Sequence, residues 1–175
     1  MKRWQIGVMA LSFLAVWRSG ALAQQARGPD LEVIQIDGRK NPELIPQWSA
    51  WGYAFRVIAG GSRLLPSDVL SQSTPAEQAL IVREADAVQA FDRGCLARHQ
   101  KILADRGDKK PEVLDREVRE LTLDCRRNTL NTRDRLLAGL SPAAQAALTA
   151  FVESTKRGTS LSIPKKDLPR FLEPE

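Results

Sequence analysis

The sequence predicts an all-α protein: a disulfide-tied antiparallel helical hairpin flanked by two shorter helices, with a minor two-strand patch and an N-terminal signal peptide. Three observations carry this expectation. Two long segments, about 75–106 and 111–138, repeat apolar residues at the helical period. Pro75, Pro111 and Pro142 each stand at the start of a periodic run, where a missing N–H costs nothing. The chain has two cysteines, and one falls in each long segment.

The chain opens MKRWQIGVMALSFLAVWRSGALAQQA. Lys2 and Arg3 form a basic leader, and Ile6 to Trp17 is an apolar run of about a dozen residues, the length of a signal core and too short for a membrane span. Arg18 closes it. Ala21-Leu22-Ala23 supplies the small-x-small pattern of a signal peptidase site. Residues 1–23 are therefore expected to be a signal peptide cleaved after Ala23, with Ala26 as the alternative. No cysteine lies near the cut, so a lipid-anchored terminus is not expected. The protein is expected in the periplasm or outside the cell, with no membrane span after cleavage.

Export changes the charge argument. The full chain carries 26 Lys and Arg against 21 Asp and Glu. Lys2, Arg3 and Arg18 leave with the signal and no acidic residue does, so 23 basic residues remain against 21 acidic ones. Arginines 116, 119, 126, 127, 133 and 135 resemble a nucleic-acid stripe, but Asp115, Glu117, Glu120, Asp124 and Asp134 are interleaved with them. That pattern is a solvated helix face, and no nucleic-acid partner is expected. The 152 residues from 24 onward suffice for one domain with a modest core.

Residues 24–40 read as a leader with a short strand, Leu31 to Asp37, ended by the turn signal Asp37-Gly38. Residues 41–158 are the helical domain. Trp48, Trp51, Phe55 and Ile58 recur at one helical face between residues 46 and 59, and Gly60-Gly61 ends that helix. For the second helix Thr74 is the N-cap and Glu77 completes a capping box. Its apolar face is Ile81, Ala85, Val88, Phe91, Cys95 and Ile102. Gly107 to Lys110 is the connection. On the third helix Leu114, Val118, Leu121, Cys125, Thr132 and Leu136 share a face, and Glu112–Arg116 and Asp115–Arg119 are spaced to pair on the wet side. Gly139 stops it. Ser141-Pro142 repeats the cap-plus-proline start of a last helix, about 142–157, with Gly158 following. Residues 159–175 are expected to be an extended tail containing Pro164, Pro169 and Pro174, whose TSLSIP segment is suited to pair with the leader strand.

TPAEQAL from Thr74 and SPAAQAAL from Ser141 echo one another. Both are good helix starts. They also resemble the LTxxQ helix starts of Spy-like periplasmic chaperones, small exported helical proteins that cradle clients. Here the hydroxyl-to-glutamine spacing is one residue longer, and leucine precedes only Ser141. The likeness spans two short segments, and no functional residue is carried over from it.

Cys95 and the chain's single histidine, His99, lie one helical turn apart. Three chemistries compete for them. A thiolate–histidine nucleophile needs an exposed, activated thiol, whereas Cys95 lies on the apolar face. A metal site would use Cys95, His99 and Cys125 with Asp92 or Asp124, but lacks the usual short-spaced cysteines. A Cys95–Cys125 disulfide fits the geometry best. Counted from the hairpin turn, the two positions differ by three residues, about 4.5 Å of rise. Packed helices then place the Cα atoms roughly 6–7 Å apart, within disulfide range. Gly94 beside Cys95 is expected to admit the partner helix. His99 then needs no partner and reads as a boundary residue.

No cofactor motif and no catalytic string such as GxSxG, HExxH or a P-loop occurs, so no enzyme activity is expected. The expected function is protein or peptide binding by a non-enzymatic factor of the cell envelope. The candidate binding face is Trp48, Trp51, Tyr53 and Phe55. The alternative is a metal- or small-ligand-binding protein using Cys95, His99 and Cys125.

Overall fold

The computed structural model describes residues 32–60 and 65–171. The signal segment and its cleavage position at Ala23, with the alternative Ala26, lie outside these residues. The chain is mostly helical, and its residues fall into two units, one comprising residues 37–159 and the other the segments on either side.

The smaller unit is a two-stranded sheet. β1 (Val33–Asp37) pairs with β2 (Ser160–Pro164). The pairing is antiparallel: the Ser162 hydroxyl donates to Gln35 Oε1 at 2.8 Å, and the Lys165 N–H donates to the Glu32 carbonyl at 2.8 Å. Ile36, Leu161 and Ile163 are buried while Gln35, Ser160 and Ser162 are exposed, the period of two that a half-buried strand requires. The tail is not extended throughout, as the sequence suggested. After β2 it turns through a 3-10 segment, Lys165–Asp167, into a short helix, Leu168–Phe171. Pro169 sits in the first turn of that helix, where it breaks no backbone hydrogen bond.

The larger unit contains five helices among its described residues: α1 (Gln47–Gly60), α2 (Ser67–Gln72), α3 (Pro75–Ala104), α4 (Pro111–Ala138) and α5 (Pro142–Arg157). The long pair α3 and α4 is the expected hairpin, joined by a 3-10 turn at Asp105–Asp108. That turn absorbs the last two residues expected for the longer helix. α2 was not foreseen. It is six residues long with one buried side chain, Val69, too few positions to show a period.

Burial follows the expected faces at the base of the hairpin. Ile81, Ala85, Val88, Thr132 and Leu136 are buried, as is Thr129, two turns before Leu136 on the same face; Leu121, one turn beyond Cys125 toward the hairpin tip, is buried too. Phe91 is an exception and is exposed; the Arg98 guanidinium lies over its ring, 5.5 Å from the centroid. α1 crosses this base. A Cβ on Gly52 would stand 3.9 Å from Thr129 of α4, and one on Gly60 would stand 3.8 Å from Gln89 of α3. Ion pairing on the wet face also differs from expectation. Glu112–Arg116 and Asp115–Arg119 form no close pair among the described residues. Instead Lys109 meets Glu117 at 2.6 Å and Arg135 meets Glu84 at 3.0 Å.

The start of α5 is set by α3. Thr74 and Glu77 make the expected capping box, with the Thr74 N–H donating to Glu77 Oε2 at 2.7 Å. The other oxygen, Oε1, accepts the Ser141 N–H at 2.6 Å. Ser141 does not cap its own helix with its side chain, unlike the expected repeat of the Thr74 device. One carboxylate therefore serves two helix starts. The glutamines of the echoed segments do the same job twice. Gln78 Nε2 donates to the carbonyls of Leu70 and Ser73, and Gln145 Nε2 donates to those of Leu137 and Leu140. Each closes the corner between its helix and the one before it by satisfying carbonyls that a helix end leaves open.

Gly38 makes a close approach. Its N–H donates to the Thr159 carbonyl at 2.9 Å, and a Cβ there would collide with the Lys156 carbonyl oxygen. Gly94 does the opposite of what its sequence position suggested. A Cβ there would meet nothing within 4 Å, so it faces solvent and does not admit α4.

Two outcomes follow from these contacts. Gly94→Ala fills open space in a helix interior and raises stability by about 0.5–1 kcal/mol, measured by urea unfolding. The four donors from Ser141 and Thr74, the Ser141 N–H foremost, hold the Glu77 carboxyl down at about 2 from an ordinary 4.5. A depressed carboxylate contributes its stability above the unfolded value and loses it as pH falls toward the folded one. Glu77→Gln therefore lowers the melting temperature at pH 7, and the deficit relative to wild type shrinks between about pH 4.5 and pH 2.

Candidate functional site

The sulfurs of Cys95 and Cys125 are bonded, with the Cα atoms 6.5 Å apart. This agrees with the separation expected from counting along the hairpin. The bond stands at a boundary in the fold. On the base side α1 and α5 supply further layers. Beyond it, Leu121, one turn past Cys125, is buried, and none of the residues 96–107 and 109–120 is. Ile102, Leu114 and Val118 are half-buried between the two helices. From Cys95 to Ala104 the helix rises about 14 Å, which gives a slender two-helix arm. Helices of this length are marginal without tertiary packing, and the staple holds them at the root of the arm.

His99 lies on this arm, half-buried and one turn past Cys95. Arg98 turns back, and its Nη2 donates to Cys95 Sγ at 3.5 Å. With both sulfurs committed to each other, the set Cys95, His99 and Cys125 offers no free thiolate to a metal or to a nucleophilic step. Among the described residues, no three His, Cys, Asp or Glu side chains are grouped so as to hold a metal ion.

The aromatic helix α1 divides its ring-bearing residues between core and surface. Trp51 and Phe55 are buried, their ring centroids 5.6 Å apart, and Ile58 lies with them in the core. Trp48 is half-buried beneath Arg126, whose guanidinium carbon stands 4.3 Å from the ring centroid, a cation–π contact. Tyr53 and Val57, one turn apart, are 41% and 42% exposed. Of Trp48, Trp51, Tyr53 and Phe55, Tyr53 alone is exposed, and exposed Val57 lies beside it. Trp51 and Phe55 support that surface from inside.

Arg56, exposed on α1, is near enough to Asp92 of α3 for its charge to act on that carboxyl. Asp92 is half-buried, and burial pushes its carboxyl above the ordinary range against the pull of the Arg56 charge. The sequence marked Asp92 as an alternative metal ligand and not as a buried acid. The signal was present: it lies four residues after Val88 and three before Cys95, on the buried side of α3.

An open groove of about 530 Å³ lies between α2 and the start of α3. Leu65, Leu70, Pro75 and Val82 line it, together with Arg83 and Asp86. No helix among the described residues is long and apolar enough to cross a membrane.

Compared with known proteins, the chain matches no family model, no curated protein and no solved structure. The class defined by its own fold is a stapled helical hairpin with flanking helices and a small antiparallel sheet. Cross-linking positions 30 residues apart removes loop entropy from the unfolded chain. Replacing both cysteines by serine should cost roughly 3–4 kcal/mol in chemical denaturation.

Proposed function

We propose that the protein is an exported, non-enzymatic factor of the cell envelope that binds another protein or a peptide. The observation that carries this reading is the exposed Tyr53–Val57 edge of α1, set on a buried Trp51–Phe55 platform. An aromatic anchor on a rigid support loses little side-chain entropy on binding, and such residues dominate interface energetics. Export rests on the N-terminal signal pattern, and a disulfide is in keeping with an oxidising compartment. The lack of catalytic motifs in the sequence supports a binding role over an enzymatic one.

The test separates core from surface. Trp51→Ala and Phe55→Ala should each cost about 3–5 kcal/mol of stability. The double variant Tyr53→Ser/Val57→Ser should keep the wild-type melting temperature within a few degrees. A photo-crosslinking residue at position 53 should join one discrete envelope protein, while the same residue at exposed Arg93 should not. A folded double variant that captures the same partner as efficiently as wild type overturns the reading.

A further inference from the structure

The two halves of the Cys95–Cys125 bond are in different surroundings. Cys95 is 8% exposed, whereas Cys125 is half-buried and nearer solvent. Arg98 donates to Cys95 Sγ at 3.5 Å and is steadied over the Phe91 ring, 5.5 Å from its centroid. A disulfide opens when a thiolate attacks one sulfur and the other departs with the bonding pair. Attack favours the accessible sulfur, and departure favours the sulfur whose thiolate is better stabilised. A neighbouring guanidinium stabilises a thiolate. Both preferences select the same direction here.

We propose that Cys95–Cys125 is an exchangeable disulfide, in which an incoming small-molecule thiolate of the glutathione or cysteine class bonds to Cys125 and Cys95 leaves as a thiolate held by Arg98. The incoming sulfur supplies the electron pair of the new S–S bond. The pair of the old bond goes to Cys95. One disulfide is consumed and one is formed, so no further oxidant or reductant is needed in this step. The exchange cuts the cross-link at the root of the arm. The residues beyond it are then held by the buried Leu121, by the half-buried Ile102, Leu114 and Val118 and by ion pairs such as Lys109–Glu117. Thiol chemistry at one position thereby sets the order of a two-helix arm. This inference goes beyond the binding reading and does not depend on it.

The experiment treats the oxidised full chain with reduced glutathione near pH 8, quenches with acid and maps adducts by peptide mass. Glutathione should appear on Cys125 and a free thiol on Cys95. Arg98→Met, an exposed position whose fold is checked by circular dichroism, should slow opening by about tenfold, the size of a lost hydrogen bond to a developing charge. Arg98→Lys should restore most of the rate. In Cys95→Ser protein glutathionylated at Cys125, amides of residues 96–120 should exchange at least about tenfold faster than in the disulfide form, while those of 75–90 keep their protection. Adducts mainly on Cys95, equal opening rates for wild type and Arg98→Met, or no reaction while an unfolded control is reduced would each overturn the direction of exchange. Unchanged amide protection across the arm would overturn its coupling to the bond.

Discussion

Two helices of 30 and 28 residues run side by side, yet the layers that bury them cover little more than their base. A two-helix arm has one narrow seam, and the seam beyond the Cys95–Cys125 bond holds buried Leu121 and half-buried Ile102, Leu114 and Val118 between exposed charged residues. Apolar burial of that extent is small against the cost of ordering some twenty backbone positions, at about 1–2 kcal/mol each. Local helix hydrogen bonds offset part of this cost. The Cys95–Cys125 bond shifts the balance further, because it removes conformations from the unfolded chain and fixes the register of α3 against α4. It is placed where the base ends and the arm begins.

The base has its own constraint at the corner where α2, α3 and α5 begin or end. Glu77 joins the starts of α3 and α5 through one carboxylate, while Gln78 and Gln145 tie each helix to the end of the one before it. These are charged or amide groups meeting backbone groups that a helix end leaves unsatisfied. They fix the directions of α3 and α5 without a large core. The exposed Tyr53–Val57 edge stands on side chains packed inside this base. On the proposed binding role, a surface held in this way would need little reordering to meet a partner.

Much of this was legible in the sequence because several local signals agreed. Pro111 and Pro142 begin helices at the positions where proline is tolerated, and Thr74 with Glu77 makes the capping box that its spacing implies. The cysteine pairing followed from counting residues on either side of a turn. What was not legible depended on neighbours distant in sequence. Gly94 stands next to Cys95 in the sequence, but helical phase alone cannot show that α4 passes on the other side. The second oxygen of Glu77 finds Ser141, 64 residues away, and no local pattern specifies that bond. Helical periodicity placed Trp48, Trp51, Phe55 and Ile58 on one stripe, while Tyr53 became a surface residue by lying off it. The candidate face spans the boundary between core and solvent: Trp51 and Phe55 are buried, Trp48 is half-buried and Tyr53 is exposed.

The hairpin staple is the feature on which the arm, the spent thiols and the exchange chemistry all rest. Its most direct measurement is a thiol titration of the native, unreduced mature protein, repeated after unfolding in denaturant to reach buried groups. A stapled hairpin gives no titratable thiol in either condition and two after reduction. Two titratable thiols in the unreduced protein would contradict the staple, and with it the structural role assigned to Cys95 and Cys125.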